Sequence, residues 1–223
     1  AALFDETPRR EEGVLSCAAC SAWFPIRTGV PVMLDADLSI EERSALRAAW
    51  GDRVPFDPVD AAVSAEGTRQ IESTFTFKWG KMGFWGLEGK TAEFMEDWIL
   101  RKYGWQDGEG LRRCIGDRQH LLDAGCGLGR ESLRLAAQTR GTVLGMDLCA
   151  SVHQAAEHAR AGNVTNLFFV RGDLMRPPFP SDRFDFILAN ARTNDLNFRT
   201  KGSQERWSWC DALFMAPPTM AMA

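Results

Sequence analysis

The sequence predicts an α/β protein built on a doubly wound parallel sheet, and three observations carry that expectation. Short apolar runs alternate with helical stripes between residues 118 and 190. Three glycines, Gly125, Gly127 and Gly129, stand at alternate positions just after the first of these runs. Carboxylates stand at the ends of three successive runs, as Asp123, Asp147 and Asp173. Strands and helices alternating at this length bury a parallel sheet between layers.

The elements follow in order. Residues 120–123 read as the first strand and residues 128 to about 138 as the helix after it. Residues 142–147 form the second strand. The next helix places Val152, Ala155, Ala156 and Ala159 on one stripe, the pattern of a helix laid on a sheet, and Gly162 closes it. Residues 166–170 are the third strand, followed by Arg171, Gly172, Asp173 and Leu174. A turn over 177–182 leads to a fourth strand at 184–189.

Upstream, Cys17 and Cys20 form a CxxC knuckle followed by two short apolar strands around Gly29. That is half of a zinc ribbon, and tetrahedral zinc needs four ligands. Two readings stand: half of a zinc site, or a metal-free hairpin with two reduced thiols. Ser39 caps a helix that Gly51 ends, with Glu42 at the capping-box position. The stretch 68–90 is rich in aromatics, among them Phe75, Phe77, Trp79, Phe84 and Trp85. It serves either as packing against the main domain or as a lid. Residues 91–103 predict an amphipathic helix with Phe94, Trp98 and Ile99 on one face, and residues 105–118 a polar approach to the first strand. The expected organisation is a ribbon-like segment and helix over 1–55, then linker, aromatic cap and leading helix over 56–117. A cofactor-binding core follows over 118–190, then an atypical tail over 191–223.

Composition narrows the class. With 45% hydrophobic and 25% charged residues the chain reads as an ordinary globular protein. A net charge of −4 argues against a large nucleic-acid-binding face. No apolar run approaches the roughly 18–20 residues that span a bilayer, and the N-terminus lacks a signal-peptide core, so the cytoplasm is the expected location. Six irregularly spaced cysteines do not form a disulfide framework.

Ligands of doubly wound sheets bind at the carboxyl ends of the strands. Asp123, Asp147, Asp173 and Asn190 fall there. Asp147, about 18 residues beyond Gly129, is placed to accept both ribose hydroxyls of an adenosine. Asp173 suits an exocyclic amine, and Leu174 offers an apolar wall. Dinucleotide enzymes favour G-x-G-x-x-G, whereas this loop is G-x-G-x-G after an acidic residue. A carboxylate-rich rim favours a cationic sulfonium over a diphosphate. A nicotinamide-dependent oxidoreductase stands as a weaker alternative, and a non-catalytic cofactor- or partner-binding module as another.

The chain resembles the class I S-adenosylmethionine-dependent methyltransferases, whose sheet is Rossmann-like. Residues 122–129 match their first motif, 143–148 the second, 172–174 the third, and 179–185 the turn into the fourth strand. The resemblance implies that Gly125, Gly127 and Gly129 line the methionine side of S-adenosylmethionine, with Asp123 and Cys126 in the same loop. It places Asp147 and Leu148 at the ribose, Asp173 and Leu174 at the adenine, and Asn190 near the transferable methyl. Asp185 is structural at the corresponding point, and Cys126 is a small loop residue without a histidine to activate it. The cysteine pair resembles the second half of ribbon-like domains associated with methyltransferases, which implies zinc as a further ligand. His120, His153 and His158 are poor candidates for a general base, the last two expected to face solvent.

The acceptor is a small molecule, an RNA or a protein, and the charge gives nucleic acid no support. After Asn190 the family pattern stops, and residues 191–223 carry neither strand alternation nor a helical stripe. The expectation is a reading frame truncated or shifted near Asn190. Cofactor affinity would then outlast turnover.

Overall fold

The computed structural model describes residues 11–16, 23–34, 44, 48–49, 66–82, 87–174 and 176–189. The expected helix after Ser39 lies almost wholly outside them. Seven strands form one sheet: β1 (Gly13–Ser16), β2 (Trp23–Arg27), β3 (Val30–Met33), β4 (His120–Ala124), β5 (Thr142–Asp147), β6 (Leu167–Gly172) and β7 (Phe186–Ala189). Their order across the sheet is β1-β2-β3-β6-β5-β4-β7. Among the described residues five helices accompany them: α1 (Glu66–Met82), α2 (Gly89–Lys102), α3 (Gly108–Ile115), α4 (Arg130–Gln138) and α5 (Ser151–Ala161). None of these helices is long and apolar enough to cross a membrane.

The central strands are parallel, as expected. β4 pairs with β5 from His120↔Thr142 to Ala124↔Met146, and with β7 from Leu121↔Phe186 to Ala124↔Ala189. β5 pairs with β6 from Val143↔Leu167 to Asp147↔Arg171. This register brings Ala124, Asp147 and Arg171 to one rim. The buried runs of β4 and β5 have almost no polar alternation because both faces are covered.

One face packs on helices. Ile99 and Leu100 of α2, Leu111 and Ile115 of α3, Leu135 of α4 and Val152 of α5 join Leu121, Val143 and Leu167 there. The predicted alanine stripe of α5 is fully engaged. The other face holds Leu122, Leu144, Met146 and Val170, covered by Met33, Phe168, Leu174, Phe179 and Phe184. Phe179 and Phe184 meet edge to face with centroids 5.2 Å apart. No helix packs on this second face among the described residues.

Three expectations change. The aromatic stretch, read without an assigned element, is largely the helix α1. The polar approach at 105–118 contains α3, whose Asp107 side chain accepts the Gly110 amide at 2.7 Å as its cap and which buries Leu111 and Ile115. In α2 the buried face is Met95, Ile99 and Leu100, and Phe94 stands 61% exposed. The shared face assigned to Phe94 and Ile99 was therefore wrong.

The N-terminal strands hold a further finding. β1, β2 and β3 form an antiparallel meander, and the two-residue turn at Thr28 (φ 48) and Gly29 (φ 75) matches the twist of its strands. β3 then pairs in parallel with β6, Val32↔Arg171 and Met33↔Gly172. The small β segment is thus an extension of the main sheet, covering an otherwise open edge. Side chains tie it down. Glu11 accepts Arg160 Nη1 with both carboxylate oxygens at 2.6 and 2.7 Å. Thr28 Oγ1 lies 2.8 Å from His153 Nδ1. His153 therefore lies half-buried against the turn rather than facing solvent.

Candidate functional site

The loop from Ala124 to Gly129 turns the chain from β4 into α4, and its conformation requires glycine. Gly125, Gly127 and Gly129 have φ of 82°, 55° and 76°, a region that strains any side chain. Gly129 also sits under crossing elements: an added Cβ would lie 2.8 Å from the Ala155 Cβ and 2.9 Å from Phe169 Cζ. The glycine allows α4, α5 and β6 to approach closely.

Four amides of this loop are engaged within the protein. Gly125 N and Cys126 N both donate to the Met146 carbonyl, at 2.8 and 3.1 Å, and Gly129 N donates to the Cys126 carbonyl at 2.8 Å. Gly127 N donates to Asp147 Oδ2 at 2.8 Å. These amides are spent inward. A pyrophosphate held on a loop and helix N-terminus needs such amides pointing outward.

Two carboxylates at the rim are buried. Asp147 receives Gly127 N on one oxygen and Cys149 N, at 2.8 Å, on the other. Burial pushes its carboxyl up, while the amides of Cys149, Gly127 and Leu148 pull it back. Asp123 Oδ2 accepts Ser132 Oγ at 2.6 Å. Its carboxyl is raised to about 7, first by burial and then by the charge of Glu131, with Ser132 opposing. Glu131 itself pairs with Arg130 at 2.7 Å.

The neighbours complete the rim. The Leu148 carbonyl accepts Arg171 Nε at 3.2 Å, which fixes the chain just past β5. Cys126 is buried, and burial first, then Asp147 and Asp123, raise its thiol well above the ordinary range. It is no nucleophile. Asp173 is half-buried just beyond β6, and Leu174 packs on the second core beside Met33. Asp185 is structural: its carboxylate accepts the Gln119 and His120 amides at 2.8 and 3.0 Å. Burial raises its pKa, but these amides outweigh burial and hold the group below its ordinary value.

The structure thus gathers Asp123, Gly125, Cys126, Gly127, Gly129, Asp147 and Leu148 around one loop, with Asp173 and Leu174 past the next strand end. Asn190, Cys17 and Cys20 lie outside the described residues, and no metal-holding cluster of His, Cys, Asp or Glu occurs among those described.

Sequence reasoning missed Ser132 and Tyr103, and placed Trp79 only within an aromatic stretch read as packing or lid. Ser132 is a polar residue in the buried stripe of α4 with Leu135 and Ala136, a mismatch that could have flagged it. Tyr103 donates its hydroxyl to the Ala189 carbonyl at 2.9 Å, reaching the end of β7 from α2. Trp79 of α1 lies against the Gly127 backbone, and no sequence pattern pairs the two.

Residues 121–203 match the family model described as a methyltransferase domain, a match that runs past Asn190. A sterol 24-C-methyltransferase of Gibberella zeae is 30% identical over 114 residues, covering 40% of this chain and 30% of that protein. The sterol 24-C-methyltransferase of Pneumocystis carinii is 30% identical over 81 residues, covering 35% and 22%. The chain thus spans less than a third of the length of these relatives. Among solved structures, the magnesium protoporphyrin IX methyltransferase of Synechocystis with bound SAH is 17% identical, covering 55% of this chain and 57% of that one at a TM-score of 0.39. A structural likeness at that level carries no functional argument.

Proposed function

We infer that residues 121–203, which match the methyltransferase-domain family model, form a class I methyltransferase domain that binds S-adenosylmethionine and directs its methyl group to an acceptor nucleophile. The observation that carries the reading is Asp147. It is a buried strand-end carboxylate that fixes Gly127 with one oxygen and Cys149 with the other, joining the glycine loop to the end of β5. The left-handed glycines let the loop pack closely against its neighbours, Gly127 against Trp79 and Gly129 against Ala155 and Phe169, and the two buried carboxylates suit a cationic, amine-bearing group. The residues present therefore fit the cofactor. Bound there, the cofactor supplies an electrophilic methyl on sulfonium.

The residues then divide the work. Asp147 accepts ribose hydroxyls while holding Gly127 in place. Asp173 receives the adenine amine and Leu174 walls the ring. Asp123 and the Gly125–Gly129 backbone would face the methionine portion, and the resemblance assigns Asn190, outside the described residues, a place near the transferable methyl. Orientation and exclusion of water are the protein's contribution, and no general base is required of it. The G-x-G-x-G spacing after an acidic residue favours this reading over a nicotinamide enzyme.

The acceptor, a small molecule, an RNA or a protein, is assigned no closer class, and the cytoplasm is the proposed location. A second reading is cofactor binding without turnover. The test is calorimetric titration with S-adenosylhomocysteine and with NAD, on the wild type and Asp147→Ala. Saturable binding of the first alone, weakened about tenfold or more in the variant, supports the reading. Binding of NAD instead would sink it. Transfer of labelled methyl to any acceptor would dispose of the binding-only alternative.

A further inference from the structure

The indole of Trp79 covers the cofactor loop at one point. A Cβ built on Gly127 would stand 3.3 Å from both Cε2 and Cζ2 of Trp79 and 3.5 Å from its Nε1. A large ring is thus in contact distance of the one loop residue whose amide Asp147 holds. Trp79 and Phe75, four residues apart on α1, are both half-buried, whereas Phe77 is 69% exposed. That spacing puts Trp79 and Phe75 on the inward face of the helix. Neither ring belongs to the two cores among the described residues. The face is spent on the loop, not on the sheet.

The ring is also held in place. Lys78 Nζ lies 5.3 Å from the centroid of Trp79 and 5.4 Å from that of Phe75, bracing both rings. Helix α1 touches α5 as well, whose residue Ala155 lies beneath Gly129. Helix α1 therefore sets its indole against the central, buried glycine of the loop.

We propose that Trp79 is the cover of the cofactor site, an indole that packs on the bound adenosyl cofactor across Gly127 and retains it. Aromatic rings suit this task because they supply a broad apolar face at little entropic cost and attract a cation over that face. The proposal rests on the cofactor assignment above. It adds that retention is governed by a helix outside the matched domain, so release requires α1 to yield.

The test measures S-adenosylhomocysteine binding and its dissociation rate by stopped flow for the wild type, Trp79→Ala, Trp79→Leu and Trp79→Phe, each checked by circular dichroism and thermal melting. The expected result is dissociation about tenfold faster in the alanine variant, with most of the affinity loss in that rate. The phenylalanine variant should stay within about threefold of wild type, as the aromatic face is kept. Trp79→Leu retains apolar bulk without a ring and should fall with alanine, which keeps the comparison open if alanine does not fold. The ligand-induced change in tryptophan emission should shrink in Trp79→Phe. Dissociation unchanged or slowed in folded Trp79→Ala or Trp79→Leu, or a full emission change in Trp79→Phe, overturns the cover. Failure of the wild type itself to bind overturns the cofactor assignment, and the cover with it.

Discussion

The amide of Gly127 donates a 2.8 Å hydrogen bond to Oδ2 of Asp147, binding the loop after β4 to the end of β5. The opposite oxygen does the same for Cys149. Asp147 thus organises the loop before any ligand arrives. Asp147→Asn keeps the shape but offers one of these two amides an NH2 in place of an oxygen. Two donors then face each other in a buried site, a fault that costs about 1–3 kcal/mol. Urea unfolding at pH 7 should show that loss, and an unchanged midpoint would mean that the loop does not depend on this carboxylate.

Asp123 makes stability depend on pH in an unusual direction. Its folded pKa is raised to about 7 from 3.8, so the native chain keeps a proton that the unfolded chain has released across that window. The contribution is fully present below pH 4 and is lost as pH rises to about 7. Asp123→Asn retains an acceptor for Ser132 without the ionisation. Relative to wild type, the variant should gain on the order of a few kcal/mol between pH 4 and pH 8. Parallel stability curves for the two proteins would show that the buried carboxyl titrates normally.

Two glycines separate close packing from mere helix position. Gly129→Ala places a Cβ 2.8 Å from that of Ala155 at a φ of 76°, and should cost about 2–4 kcal/mol through overpacking and strain. Gly110→Ala, inside α3, meets nothing nearer than 3.5 Å and should add about 0.5–1 kcal/mol by stiffening the unfolded chain. Thermal melts that rank the two the other way would refute this reading of the loop.

The core of the fold was legible because its signals are local. β4 and β5 are runs buried on both faces, the stripe of Val152 and Ala155 has helical period, and Gly125, Gly127 and Gly129 mark their own backbone. The strand-end carboxylates follow from the same register. The union of β3 with β6 was not legible, since pairing Val32 with Arg171 depends on an open sheet edge that no periodicity records. Helix α3 was obscured by Gly108 and Gly110, whose weak propensity is offset by the Asp107 cap and by burial of Leu111 and Ile115. Trp79 over Gly127 depends on where a helix comes to rest, information held in tertiary packing alone.

The meander formed by β1, β2 and β3 should loosen on acidification because of His153. This ring is half-buried at the Thr28 turn, and its pKa is lowered by burial first and then by the charge of Arg171. Arg27 also lowers it by charge, against an opposing backbone hydrogen bond and the Glu157 carboxylate. A histidine with a lowered folded pKa binds fewer protons in the native than in the unfolded state. Its contribution is therefore present above the ordinary value of about 6.5 and lost as pH falls through that region. This trend is opposite to that of Asp123, so the two must be separated by place as well as by pH. Hydrogen exchange does so, as amides of β2 and β3 report on local opening while those of β4 report on the whole sheet. Corrected for intrinsic rates, protection of Val30 and Val32 should fall between pH 7 and pH 5 in the wild type. In His153→Gln, which keeps a partner for Thr28 without a charge to gain, protection should hold across that range. Equal losses in both proteins would show that His153 is not the group whose protonation loosens the meander.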